Sequence, residues 1–163
     1  MDARKKIMNR KGISSEQERE IWAAALKYLE CGRPGDVEHT RRVVVYGKVL
    51  LDRESGNPRV VVPALILHDA GWSKVDFSDF VDAPVVDKKD TASVKLHMYH
   101  GADIAREVLE AVGWDPAVTQ QIADIIAVHD APDKIKALND LDATLAFEAD
   151  WLDKYGEASQ KRV

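Results

Sequence analysis

The stretch Val60-Val61-Val62-Pro63-Ala64-Leu65-Ile66-Leu67-His68-Asp69-Ala70-Gly71 contains the longest apolar run of the chain and leads straight into two ionisable residues. Three β-branched residues in a row suit a buried strand, but a run of this length suits a buried helix equally well. A strand needs a partner, and alternation of apolar and polar residues appears nowhere else in the sequence. Residues 60–70 are therefore predicted to be helical and the chain all-α. The eight apolar residues from Val60 to Leu67 fall far short of the roughly 20 that cross a bilayer.

Working backwards from this run, Ser55-Gly56-Asn57-Pro58 is a turn, and Val37, Val44, Val45, Val49 and Leu50 recur at helical spacing. They predict a helix over residues 37–54, with Asp36 as its cap after the breakers Gly32, Pro34 and Gly35. Before it, Ser14 and Ser15 with Gln17 and Glu18 form overlapping capping boxes for a helix over residues 15–30.

Working forwards, residues 71–89 show no clean periodicity and carry Phe77, Phe80, Asp76, Asp79, Asp82 and Asp87. A loop of this length inside one domain is expected to cover a functional site. Asp90 or Thr91 then starts a long helix ended by Gly113. Asp115-Pro116 opens another, which carries Ile122, Ile125, Ile126 and His129 and is closed by Pro132. The last helix is expected over residues 139–155, stopped by Gly156. The expected architecture is a compact bundle of about six helices forming one domain over residues 15–156, with a basic segment 1–14 and a tail 157–163.

Composition narrows the function. With 163 residues, 45% of them hydrophobic, the chain is large enough for one well-buried core without staples. Lys and Arg number 23 against 28 Asp and Glu, a net charge of −5 that offers no general attraction to long nucleic acid or anionic lipid. The basic N-terminus, with Arg4, Lys5, Lys6, Arg10 and Lys11, is followed by no apolar stretch of signal-peptide length, so a cytoplasmic location is expected. One Cys excludes an internal disulfide and any Cys-rich zinc site, which leaves the five His and the carboxylates as candidate ligands.

Those residues sit at marked places. His39 lies in the first turn of its helix, His68-Asp69 follows the apolar run, and His129-Asp130 follows Ile125-Ile126-Ala127-Val128 in the same manner. His97 and His100, three apart, share roughly one helix face. Asp150 is embedded in Leu145-Ala146-Phe147-Glu148-Ala149-Asp150-Trp151-Leu152. A carboxylate at a core boundary needs a cation or a hydrogen-bond network. Imidazole and carboxylate together suit iron, manganese, zinc and related divalent ions.

The order His39, His68-Asp69, His97, His129, Asp150 resembles the HD-domain superfamily, helical metal-dependent phosphohydrolases named for their His-Asp doublet. Local contexts resemble it too: Glu38-His39-Thr40-Arg41-Arg42, Leu67-His68-Asp69-Ala70-Gly71, His97-Met98-Tyr99-His100-Gly101-Ala102, and Ala149-Asp150-Trp151-Leu152-Asp153. The resemblance implies that His39, His68, Asp69 and Asp150 bind one metal, and that His97 and His129 add a second with Asp69 bridging. His97 takes precedence over His100, which becomes a second-sphere or substrate contact, and Asp130 is assigned to orienting His129 or a bound water. One or two divalent ions (Fe, Mn, Ni, Co or Zn, with Mg also allowed) are implied.

The activity implied is hydrolysis of a phosphate ester of a nucleotide or other small molecule by activated water. Asp69, His100 and Asp130 are the catalytic candidates, and Arg42, Lys74 and Lys95 are the candidates for holding phosphate. Family members that hydrolyse cyclic dinucleotides carry Lys soon after the doublet Gly and a Gly-Tyr-Pro element; this chain has Trp72 there and lacks the element. Two alternatives share the ligand pattern: a di-iron oxygenase of the same fold, and a non-catalytic metal-bound regulatory module. A homo-oligomer is left open by the amphipathic first helix, whose Trp22 fits either its own bundle or a second copy.

Overall fold

In the computed structural model, which describes residues 12–156, the apolar run is a helix over Pro58–Leu67. The elements in chain order are α1 (Ser15–Leu29), α2 (Asp36–Arg53), α3 (Pro58–Leu67), a 3₁₀ turn (Ala70–Lys74), α4 (Ser78–Asp82), a second 3₁₀ turn (Val85–Asp90), α5 (Ala92–Ala111), α6 (Pro116–Ile126), α7 (Pro132–Leu138) and α8 (Leu141–Tyr155). No strand occurs among the described residues. The fold is all-α, as expected. Of the expected basic segment, residues 1–11 lie outside the described residues, as does the tail 157–163.

The hydrophobicity of α3 follows from its position. It packs against α1, α2, α5, α6 and α8, so every residue from Val60 to Leu67 is buried. A helix covered on all sides is apolar on all sides, and each such Leu, Ile or Val contributes about 1.5–3 kcal/mol of burial. Pro63 lies inside this helix and has no N–H for the carbonyl of Arg59, four residues earlier. The indole N–H of Trp114 donates to that carbonyl at 3.2 Å, while the Arg59 guanidinium lies over the Trp114 ring at 4.0 Å. The acceptor that the proline frees is thereby satisfied from the loop between α5 and α6.

The capping box at Ser14 forms with Gln17, each side chain accepting from the other's backbone N–H at 3.1 Å. Trp22 is partly buried against its own core, with Arg41 over its ring. Asp36 does not cap α2. The cap residue is Gly35, at a left-handed φ of 88°, and Asp36 is the first helical residue. Its carboxylate is turned inward to accept from the backbone N–H and the side chain of Arg33.

Residues 71–89 are not an open loop: they hold the two 3₁₀ turns and α4. Elements of five or six residues are too short to produce a helical repeat, which is why periodicity fails there. Trp72, Val94 and Met98 form a second, smaller core beneath this segment, with Val75, Phe77 and Phe80 packed against it. The first 3₁₀ turn approaches α5 closely at Gly71. A Cβ there would collide with the His97 carbonyl oxygen and the Gly101 backbone.

Two further boundaries differ from expectation. Helix α6 stops at Ile126, so His129 lies in the turn beyond it. Pro132 does not end a helix but opens α7, occupying a first-turn position where its missing N–H costs nothing. Asn139, expected to start the last helix, instead ends α7 at φ 49°, and Asp140 caps α8.

Candidate metal centre

Three helices and two helix ends bring the imidazoles and carboxylates to one point, and local backbone chemistry aims most of the rings. His68 and His129 follow the last turns of α3 and α6, where carbonyls lack helical partners. Their Nδ1–H groups donate to Leu65 O at 2.7 Å and Ile126 O at 2.8 Å, which turns both Nε2 atoms inward. His39, in the first turn of α2, is held by Asp153 of α8, whose Oδ2 accepts from Nδ1 at 2.7 Å. His97 lies within α5, away from any helix end, and its buried Nδ1 has no hydrogen-bond partner. Its ring is fixed instead by stacking on Trp72, 4.1 Å between centroids and 11° from parallel.

The inward-facing atoms form two sets that share one carboxylate. On one side, His39 Nε2 lies 3.0 Å from Asp150 Oδ1 and 3.5 Å from Asp69 Oδ2, and His68 Nε2 lies 3.3 Å from His39 Nε2 and 3.2 Å from Asp69 Oδ2. On the other, His97 Nε2 lies 3.2 Å from His129 Nε2, 3.6 Å from Asp69 Oδ1 and 3.3 Å from Asp130 Oδ2. Asp69 thus presents one oxygen to each set. It is buried, accepts from Arg33 Nη2 at 3.0 Å and from the Trp72 indole at 3.2 Å, and so cannot swing away.

These donors fit divalent ions. Two ligands of one ion, each about 2.0–2.2 Å from it at tetrahedral or octahedral angles, lie roughly 3.0–3.5 Å apart. The nitrogen–nitrogen distances of 3.2 and 3.3 Å fall in that range. Asp150 Oδ1 is buried without a hydrogen-bond partner although it faces the cluster, an acceptor for which a cation is the natural partner. The groups His39–His68–Asp150, His68–Asp69–His129 and His97–His129–Asp130 each place three donor atoms within 4.8 Å of one another.

Electrostatics keep the carboxylates ionised, and against its burial the charges of Asp69 and Asp150 hold His68 well above its ordinary value, so that it would release a proton on taking a metal. Burial would raise the Asp69 carboxyl, but the charges of His68 and Arg33 and the hydrogen bonds from the imidazoles outweigh it and hold it well below the usual carboxylate range. Burial is likewise outweighed at Asp150, chiefly by the charge of Lys154. Asp130 is lowered too, with burial opposed chiefly by Lys154 and His129. Burial pushes His97 below its ordinary value, towards the neutral ring.

Of the residues singled out from sequence, His39, His68, Asp69, His97, His129, Asp130 and Asp150 come together. His100 lies in none of these donor groups; it is half-buried with its ring against Tyr99. Lys74 and Lys95 are exposed. Arg42 grips Asp153 through two hydrogen bonds of 2.7 and 3.0 Å, and so acts on His39 from behind. The cations that do reach the cluster are Arg33, on Asp69 and Asp36, and Lys154, whose Nζ bridges Asp130 at 2.9 Å and Asp150 at 2.7 Å. The spacing of Asp150 and Lys154 signals their pairing, whereas the reach to Asp130 depends on tertiary packing.

A family model described as HD domain matches residues 36–155, a span that begins at the α2 carboxylate and ends within the last turn of α8. The chain belongs to the HD-domain family. No curated protein and no solved structure matches it. In this HD domain the matched span contains every donor of both sets, while α1 and Arg33 lie outside it. The family is one of metal-dependent phosphohydrolase type, and the clustered His and Asp side chains are consistent with divalent metal binding. No helix among the described residues is long and apolar enough to cross a membrane.

Proposed function

We propose that this HD domain is a metal-dependent phosphohydrolase that cleaves the ester of a small phosphorylated molecule at a dinuclear centre. The observation that supports it most is the shared carboxylate: Asp69 gives Oδ2 to a set with His39, His68 and Asp150, and Oδ1 to a set with His97, His129 and Asp130. Those residues would hold one ion each side of Asp69. Divalent ions supply an acidified water near neutral pH and offset the charge on phosphoryl oxygens.

The protein's part is positioning. Carbonyls of Leu65 and Ile126 and the Asp153 carboxylate lock three imidazoles, and Arg33 and Trp72 lock Asp69, so little reorganisation remains when substrate arrives. Asp130, 21% exposed at the cluster's open side, would hold the second ion or a water beside it through Oδ2, with Oδ1 tied to Lys154. Lys154 and Arg33 line the opening above the donors and are the cations nearest to where phosphoryl oxygens would sit. They take the role that sequence alone would give to Arg42, Lys74 or Lys95.

Elemental analysis of the purified chain, followed by a phosphate-release screen over nucleotides and simple esters, tests this reading. Two divalent ions per chain and turnover with manganese, nickel or cobalt, independent of oxygen, are expected. Oxygen uptake by an iron pair without phosphate release overturns it in favour of an oxygenase. Tightly held metal with no turnover of any kind overturns it in favour of a regulatory module.

A further inference from the structure

The donor cluster is the floor of an open cavity of about 660 Å³, and the cavity changes character with height. At the floor are His39, Asp130 and Asp150 with the cations Arg33 and Lys154. The rest of the lining is largely apolar: Phe80, Val81, Val85 and Val86 come from α4 and the second 3₁₀ turn, and Trp151 and Tyr155 come from α8. Five of the twelve large hydrophobic side chains that are exposed among the described residues, Val81, Val85, Val86, Trp151 and Tyr155, line this one cavity. Apolar surface gathered in this way marks a binding site rather than ordinary surface scatter.

The polar inventory is equally informative. No Asn, Gln, Ser or Thr lines the cavity. Asp36 is taken up by Arg33, and Lys88 donates to the carbonyls of Phe80 and Val81 while lying over the Phe80 ring, which leaves Lys89, the Tyr155 hydroxyl and the Trp151 indole N–H as the remaining polar side-chain groups of the walls. The walls thus offer little to the donors and acceptors of a nucleobase and sugar, and burying such groups unpaired is costly. Alkyl or aryl carbon has no such cost. The volume is that of a site for a drug-sized ligand, far more than a phosphate group alone fills.

Building on the phosphohydrolase reading, we infer that the substrates of this HD domain are phosphate monoesters of apolar alcohols or phenols, with the phosphate on the charged floor and the hydrocarbon between the Val85 and Trp151 walls. In the reaction the oxygen of water bonds to phosphorus, the bond from phosphorus to the ester oxygen breaks, and the alcohol leaves with a proton, giving inorganic phosphate.

The test uses the metal-loaded full chain with n-alkyl phosphates from methyl to octyl, phenyl phosphate and nucleoside monophosphates. Calorimetric binding of the matching alkylphosphonates, which are not hydrolysed, provides a second readout. Expected is a rise of roughly fourfold per methylene in both kcat/KM and phosphonate affinity until the walls are covered, with hexyl phosphate preferred over every nucleotide. Val85→Asp and Trp151→Ala should flatten both series while metal content stays at its original value. A flat series, or a nucleotide preferred over hexyl phosphate, overturns this inference and leaves the phosphohydrolase reading standing. Phosphonate affinity that climbs with chain length, without phosphate release from any ester, overturns the phosphohydrolase reading and leaves the apolar cleft standing.

Discussion

The chain uses one device twice and obtains two different results. At the ends of α3 and α6 an apolar helix runs into a His-Asp doublet, and in each the imidazole donates to a carbonyl three residues earlier. Beyond that the two part. Asp69 is 1% exposed and clamped by Arg33 and the Trp72 indole, whereas Asp130 is 21% exposed and tied to Lys154 at the cavity's edge. After the first doublet the chain tucks Gly71 against α5; after the second it turns outward into α7. The same local chemistry therefore gives an interior bridge in one place and an accessible rim group in the other. Burial, not residue type, separates the two roles.

Removing each carboxylate breaks the symmetry most sharply. Asp69→Ala deletes the carboxylate shared by both donor sets, and the expected outcome is loss of both ions by elemental analysis, with activity lost in parallel. A variant that kept its full metal complement would remove Asp69 from the centre. Asp130→Ala should spare the set of His39, His68 and Asp150, lowering affinity only for the second ion, by about 100-fold. Metal titration that shows one tight and one weakened site bears out the contrast, and equal weakening of both sites contradicts it.

The donors were legible in the sequence for a physical reason. Divalent metals accept few ligand types, His is scarce here, and a charged residue emerging from an apolar run has few fates other than pairing. The family resemblance, whose His lies four residues before the Gly of a Gly-Ala pair, favours His97 over His100, and the structure puts His97 in the cluster. Arg33 was not legible, and Lys154 only as the partner of Asp150 four residues before it. Arg33 sits in the Gly- and Pro-rich break Gly32-Arg33-Pro34-Gly35, and Lys154 near the end of a helix, both ordinary places for solvated charge. Their contacts with Asp69 and Asp130 cross 36 and 24 residues and exist only once the helices pack. The all-α fold followed from the solitary apolar run. Helix α7 did not, since Pro132 reads as a stop or a start with equal ease, and residues 71–89 hide helical turns too short to repeat.

The chain immediately after each doublet gives the next contrast. Gly71→Ala places a Cβ against backbone atoms of His97 and Gly101, which cannot yield as a side-chain tip does. It should destabilise the fold by about 2 kcal/mol and displace α5, so that the stacking of His97 on Trp72 loosens. Ala131→Gly, in the turn directly after the second doublet, removes a methyl group rather than adding one against backbone and should change stability by less than about 1 kcal/mol. Denaturant unfolding of the two variants side by side measures the difference. Near-equal values would mean that the first turn does not bear on α5 as the geometry implies.

The smallest effect concerns the helices that carry the doublets. Helix α3 contains Pro63 and needs an outside donor for the Arg59 carbonyl, whereas α6 has its proline at the first turn, where no carbonyl is left open. Trp114→Phe keeps an aromatic ring beneath the Arg59 guanidinium but removes the indole N–H, leaving that carbonyl without its donor. The expected cost is about 1 kcal/mol in unfolding free energy, with metal content unchanged because Trp114 lies outside both donor sets. Hydrogen exchange should show the loss locally, as faster opening of α3 than of α6. If α3 and α6 lose protection equally, the bond from Trp114 is not what compensates for Pro63, and the carbonyl must be satisfied by water instead.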